Sequence, residues 1–294
     1  MSAAGSRSPA GPSRIRRGFV DVTEGQVHYR YAGLEHAHRA RPLVMLHPSP
    51  GSARLLEPLI GELGLSRPVY ATDTLGNGDS SPPIGRQPEI ADFADGHLRA
   101  IDALGIDRFD LYGSHTGGNI AIEIAIAHPD RVASLILDGI SLYTREERAD
   151  MLEHYAPDVR IDALGSQFQY IWTFVRDAYL FWPWYRREAA ARRPLGLPDP
   201  DTLHDKTVEV LKAARTYPLS YRAAIRYAKE SRLPLIRVPL LFACAGTDML
   251  MAYFDAVKAL LPAHAQSMAT EGIATPRALA ATAAAFAGFH DAQR

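Results

Sequence analysis

The stretch "LYGSHTGGN", residues 111–119, decides how the rest of the chain is read. An apolar run, "FDLYG", meets a turn punctuated by glycine and then an alanine- and isoleucine-rich segment. A strand breaking sharply into a helix has this form, and such a turn lifts the side chain at its tip clear of the sheet. In a Gly-x-Ser-x-Gly frame the glycines are Gly113 and Gly117, and the tip is His115. Ser114 stands one place early, so the chemistry to be explained is that of an imidazole.

The segment that follows, "NIAIEIAIA", spaces Ile120, Ile122, Ile124 and Ile126 at period two, which favours a strand. Ala121, Ala125 and Ala127 favour a helix, and Pro129 supplies a stop. A helix packed on nearly all sides carries isoleucine everywhere, so a helix is predicted here.

Working outward, "GFVDV" and "GQVHYRYAG" alternate like two paired strands. "PLVMLH" is a continuous apolar run suited to a strand buried on both faces. Helical spacing in "LLEPLIGELG", strand "PVYATD", and a helix in "IADFADGHLRAIDALG" come next. The rhythm passes through the turn at His115 to "SLILDG". It resumes much later with "PLLFACAG", "YFDAVKALLP", "AQSMAT" and "PRALAATAAAFAGF". Such alternation predicts an α/β fold with a mostly parallel central sheet flanked by helices.

Residues 141–232 interrupt that rhythm with helical patches, prolines and all three tryptophans: Trp172, Trp182 and Trp184. An insertion of this size between two core strands reads as a helical cap over the carboxyl edge of the sheet, where open α/β sheets bind ligands. The expected organisation is a core of residues 18–140 and 233–294, a cap of 141–232, and a disordered tail of 1–17. That tail, "MSAAGSRSPAGPSRIRR", lacks both acidic residues and an apolar signal segment.

Composition narrows the setting. The chain has 294 residues, 47% hydrophobic and 22% charged, with a net charge of −1. Near-neutral charge argues against nucleic acid or an anionic membrane as partner. No apolar run is long enough to span a bilayer. Cys244, the lone cysteine, excludes an internal disulfide, and its apolar surroundings suggest an inert buried thiol. A cytoplasmic protein, monomer or homodimer, acting on a small molecule is expected.

Four segments, in order, resemble the α/β-hydrolase superfamily, specifically its small members with a helical cap inserted after the sixth strand. "LVMLHPSPGS" is similar to the oxyanion loop, and "ATDTLGNGDSSPP" to the glycine-rich turn after the next strand. "YGSHTGG" occupies the nucleophile elbow, and "CAGTDML" is similar to the acid-bearing loop after the seventh strand. The resemblance runs from about residue 18 to the C-terminus and implies the α/β-hydrolase fold. It implies no cofactor and no metal.

The catalytic set departs from the family's serine, acid and late histidine. The segment where that histidine is due, "MATEGIATPRAL", has none. His264 comes too early and His290 too late, and both are read as surface residues. Pro48 replaces a glycine in the oxyanion loop and has no N–H to donate. The backbone N–H groups of Ser49 and Thr116 still match the two usual oxyanion donors, Thr116 at a helix start that favours negative charge.

His115 is read as a general base or nucleophile, since histidine titrates near neutral pH. Imidazole reaches about 3 Å further than a serine hydroxyl, far enough to approach an acid directly. Asp248 is the first candidate partner, with a plain helix N-cap as its alternative role. Asp138, at the end of "SLILD", is the reserve acid. Asp73, Gly76, Gly78 and Ser80 are read as turn-formers. His47 is read as a buttress of the oxyanion loop and is counted among the substrate-binding residues. The cap aromatics Trp172, Phe181, Trp182, Trp184 and Tyr185 divide between pocket wall and cap core.

The leading expectation is a cofactor-free hydrolase of a small, largely apolar carbonyl- or ester-containing molecule. Two alternatives stay open: lyase, decarboxylase or cofactor-independent oxygenase chemistry, and a catalytically silent receptor for a small ligand.

Overall fold

The computed structural model describes residues 13–294. Residues 1–12 of the expected tail lie outside the described residues; residues 13–17 do not behave as a tail. The Ser13 N–H donates to the Gly61 carbonyl at 3.0 Å, Ile15 packs against the core, and the first strand begins at Arg16. An apolar Ile15 among basic residues is enough to dock the segment.

Eight strands form one sheet: β1 (Arg16–Val22), β2 (Gly25–Ala32), β3 (Leu43–Leu46), β4 (Val69–Thr72), β5 (Phe109–Ser114), β6 (Val132–Asp138), β7 (Leu240–Ala245) and β8 (Gln266–Thr270). Their order is β1-β2-β4-β3-β5-β6-β7-β8. β1 and β2 pair antiparallel, as does β2 with β4, and every later pairing is parallel. Parallel neighbours need crossovers, and helices supply them: α1 (Glu57–Leu63), α2 (Ile90–Ala103) and α3 (Thr116–Ala127).

Strand alternation deals the apolar side chains to two faces. Val44 and Leu46 of β3 join a cluster with Ile101 of α2 and with Ile120, Ile122 and Ile124 of α3. Leu43 and Met45 point the other way, into a cluster with Leu59 and Ile60 of α1 and Phe286 of the C-terminal helix. Each fully buried Leu or Ile contributes about 1.5–3 kcal/mol. Ile120, Ile122 and Ile124 are fully buried and Ile126 is half-buried, because α3 is covered on nearly all sides, as its composition predicted.

Five helices fall between β6 and β7: α4 (Arg145–His154), α5 (Ser166–Leu180), α6 (Pro200–Lys212), α7 (Tyr217–Arg226) and α8 (Lys229–Arg232). They have a core of their own, in which Ile171, Phe174, Trp184, Val210 and Tyr217 meet. α9 (Phe254–Lys258) and α10 (Pro276–Asp291) complete the chain. Among the described residues no helix is long and apolar enough to cross a membrane.

Candidate active site

His115 sits between β5 and α3 with φ 50° and ψ −110°, the one non-glycine residue with positive φ among those described. Such a backbone costs about 1–3 kcal/mol and persists only where its surroundings hold it. Those surroundings demand the two glycines of the motif. A Cβ on Gly113 would lie 2.4 Å from the Gly117 carbonyl oxygen, and one on Gly117 would lie 2.2 Å from that of Leu46. The turn is pinned further by the His115 N–H, which donates to the Asp138 carbonyl at 3.1 Å.

The imidazole reaches an acid. Its Nε2 lies 2.7 Å from Oδ2 of Asp248, while Oδ1 of Asp248 accepts the Leu250 N–H at 2.8 Å. Asp248 therefore fills both roles suggested for it, helix cap and histidine partner, one through each oxygen. Gly139 makes room for the ring: a Cβ there would come within 2.8 Å of Nε2. Asp138 is not the partner. Its Oδ2 accepts the Tyr112 hydroxyl at 2.7 Å instead, and burial pushes its pKa up to about 6.

The contact with Asp248 sets the electrostatics. Burial alone would lower the His115 pKa, but the adjacent carboxylate outweighs it and the net shift is upward. Burial would raise Asp248, and the imidazole reverses that, leaving its pKa lowered. With an ionised carboxylate on Nε2, the neutral ring carries its proton there. Nδ1 is then left with a free lone pair.

Ser49 and Thr116 both line the pocket, and neither backbone N–H donates to another group among the described residues. Behind that loop His47 is fully buried. Its Nε2 accepts the Thr74 N–H at 2.9 Å, so Nδ1 carries the proton and donates to the Pro48 carbonyl at 2.9 Å. Burial lowers its pKa. His47 thus buttresses the loop, as its sequence position predicts, but it does not line the pocket, which corrects its place among the substrate-binding residues. Asp73 accepts the N–H groups of Ala53 and Asp79, at 2.7 and 3.1 Å, and meets Nδ1 of His28 at 2.8 Å. His28, Asp73 and Asp79 have metal-like spacing, but these bonds already engage the Asp73 carboxylate.

A cavity of about 220 Å³ opens over His115, walled on one side by the sheet's loops and on the other by α5, α6 and α7. Of the aromatics expected at its wall only Trp182 is there. Trp172 is 39% exposed, and Trp184 is buried with its indole N–H on the Tyr155 carbonyl. Tyr185 donates its hydroxyl to Asp150, and Phe181 bridges to Arg192. Tyr155, Phe174 and Tyr221 form the wall in their place, with Lys206, Arg193 and Asn119 as polar members. Of these only Asn119 carried a signal, one helical turn beyond the elbow tip. The others depend on how the inserted helices fold over the sheet, which no local pattern encodes.

The remaining candidates lie elsewhere. His264 is exposed at the entrance to β8, as expected. His290 is not a surface residue: it lies in the last turn of α10, fully buried, with Nδ1 2.7 Å from the Ser134 hydroxyl. Cys244 is buried, and its thiol is pushed up to about 12.

Comparison with known proteins places these features. A sequence profile for the alpha/beta hydrolase fold matches residues 41–265. The chain is 42% identical over 104 residues to a 2-hydroxymuconate semialdehyde hydrolase of Pseudomonas sp. (strain CF600), covering 33% of this chain and 36% of that one. It is 35% identical over 160 residues to the 1-acylglycerol-3-phosphate O-acyltransferase ABHD5 of Homo sapiens, covering 53% and 45%. These matches span less than half the length of either relative. The enol-lactonase of Burkholderia xenovorans LB400 has a similar fold, with a TM-score of 0.69 over 92% of this chain and 99% of that one, at 19% identity.

Proposed function

The chain belongs to the alpha/beta hydrolase fold family, and from that premise we propose that it is a cofactor-free hydrolase of a small, largely apolar carbonyl or ester compound, with His115 as general base. The observation that carries this reading is the 2.7 Å contact between Nε2 of His115 and Asp248, which leaves Nδ1 as a free base at the elbow. The matched relative named as a semialdehyde hydrolase supports hydrolysis over the other chemistries open to an imidazole.

In the proposed reaction Nδ1 takes a proton from a water molecule as its oxygen attacks the substrate carbonyl carbon. The carbonyl oxygen becomes an oxyanion, accepting hydrogen bonds from the N–H groups of Ser49 and Thr116. Asp248 stabilises the imidazolium so formed. Collapse of the intermediate breaks the bond to the leaving oxygen, which recovers the proton from Nδ1. The inserted helices act as a cap that keeps bulk water from the apolar cavity.

Steady-state turnover of p-nitrophenyl acetate and butyrate tests this. The protein should hydrolyse one or both, and His115→Ala should reduce kcat by on the order of a hundredfold or more. Full turnover by His115→Ala would overturn the assignment. Saturable binding without product by the unaltered protein would favour the receptor reading.

A further inference from the structure

Besides His115, the charged side chains that line the cavity are Lys206 and Arg193, and no Asp or Glu side chain lines it. Lys206 projects from α6, and its Nζ donates to the Pro50 carbonyl at 2.7 Å. Arg193 donates from Nη1 to the Ala178 carbonyl at 2.8 Å. Neither forms an ion pair among the described residues. The nearest carboxylates are engaged elsewhere: Glu209 with the Ser52 hydroxyl and with Lys212, and Asp248 with His115.

Cations held in an apolar enclosure without an ion-pair partner are unfavourable, and the attraction of Glu209 for Lys206 and of Asp248 for Arg193 offsets that burial only in part. Burial pulls Lys206 down to about 8 and lowers Arg193. Each keeps donors beyond the one given to a carbonyl, since an ammonium has three and a guanidinium five. Asn119, 4% exposed and also lining the cavity, has a buried Oδ1 with no partner. The donors of Lys206 and Arg193 thus lack an anionic partner within the protein, while the Asn119 Oδ1, an acceptor, calls for a donor on the ligand and not for its anionic group.

We propose that the cavity is built for an organic anion with an apolar body, whose negative charge is favoured by the positive charge of Lys206 and Arg193 on the cavity wall while the aromatic wall takes the body. This rests on the reading of the cavity as the reaction site and adds to it the charge of the substrate. An ammonium and a guanidinium are the groups that bind carboxylates most strongly, through charge-assisted hydrogen bonds.

The test uses phenylbutyrate and its neutral amide, phenylbutyramide, titrated against the full chain and against His115→Ala by calorimetry. The carboxylate should bind more tightly than the amide by on the order of tenfold, in both proteins. Lys206→Met and Arg193→Met should each reduce that preference, their combination should abolish it, and Lys206→Arg should retain it. Equal or tighter binding of the amide, no measurable binding of either probe, or a preference that survives the double substitution would overturn the inference. Because binding is read without turnover, the two proposals fail separately. Anion preference without esterase activity removes only the hydrolase reading. Turnover of neutral esters without anion preference removes only the charge reading.

Discussion

Nε2 of His115 and Oδ2 of Asp248 meet at 2.7 Å, although 133 residues of chain separate them. A serine hydroxyl at the elbow would stop well short of that carboxylate, which is why the usual arrangement needs a histidine as bridge. Here one imidazole extends from the elbow to the acid. The side chains of His115 and Asp248 remain 29% and 18% exposed, so the pair is not sealed in the core, and of the two it is His115 that lines the cavity.

Asp248→Asn separates the two functions of the aspartate. Asparagine is as good a helix cap, so the bond to the Leu250 N–H and the fold should survive. It no longer stabilises an imidazolium, and kcat should fall by on the order of a hundredfold or more. Asp138→Asn is the control: its carboxylate binds Tyr112, so its effect on kcat should be far smaller. Steady-state kinetics with thermal melts checks both, and the reverse ranking would make Asp138 the partner.

Gly139→Ala probes the space beside the ring. At φ +71° any side chain is strained, and a Cβ would press on Nε2 of His115 at 2.8 Å. Destabilisation of about 1–3 kcal/mol is expected from the backbone alone. Loss of turnover beyond what the unfolded fraction explains should accompany it. Calorimetry and kcat measured on the same preparation separate the two effects.

Fluorophosphonates label serines activated by a neighbouring base. Ser114 does not line the cavity, and the base at the elbow is His115 itself. No serine should be labelled, as intact-mass spectrometry would show, and His115→Ser should be neither labelled nor active. Stoichiometric modification of Ser114 would show the elbow to be misread.

The eight strands and the helix at "NIAIEIAIA" were legible in the sequence because apolar periodicity and glycine turns are local signals. Asp248 was legible too, since it follows its strand at the expected place. The cavity wall was not. Trp184 and Tyr185 look like pocket aromatics in sequence, yet the indole N–H and the phenol each satisfy a partner within the inserted helices. Lys206 reads as one more solvated lysine on an amphipathic helix until α6 packs over the Pro50 carbonyl. His290 reads as a terminal surface residue, and only the fold supplies Ser134 as its buried partner. Such pairings join residues far apart in the chain, and no spacing rule carries them.

Stability and activity should respond to pH in opposite directions. The His115 pKa is raised in the folded state, so its stabilising contribution is full below the ordinary value of about 6.5 and is lost as pH rises through the raised value. Asp248 is lowered, so its contribution holds above about 3.9 and disappears as pH falls through the folded value. The stability advantage of the wild-type pair over His115→Ala should therefore be greatest between these ordinary values and shrink towards alkaline pH. Urea titrations of both proteins across that range would show it, and an advantage growing with pH would contradict the ion pair.

Whether His115 acts as a base through Nδ1 is tested most directly by ¹⁵N-histidine NMR followed beside kcat over the same pH range. The neutral ring should show its proton on Nε2 and none on Nδ1, with a pKa above the ordinary histidine value, and kcat should rise with pH through that same pKa. A neutral ring protonated on Nδ1, or a kcat profile that ignores the His115 titration, would contradict the account.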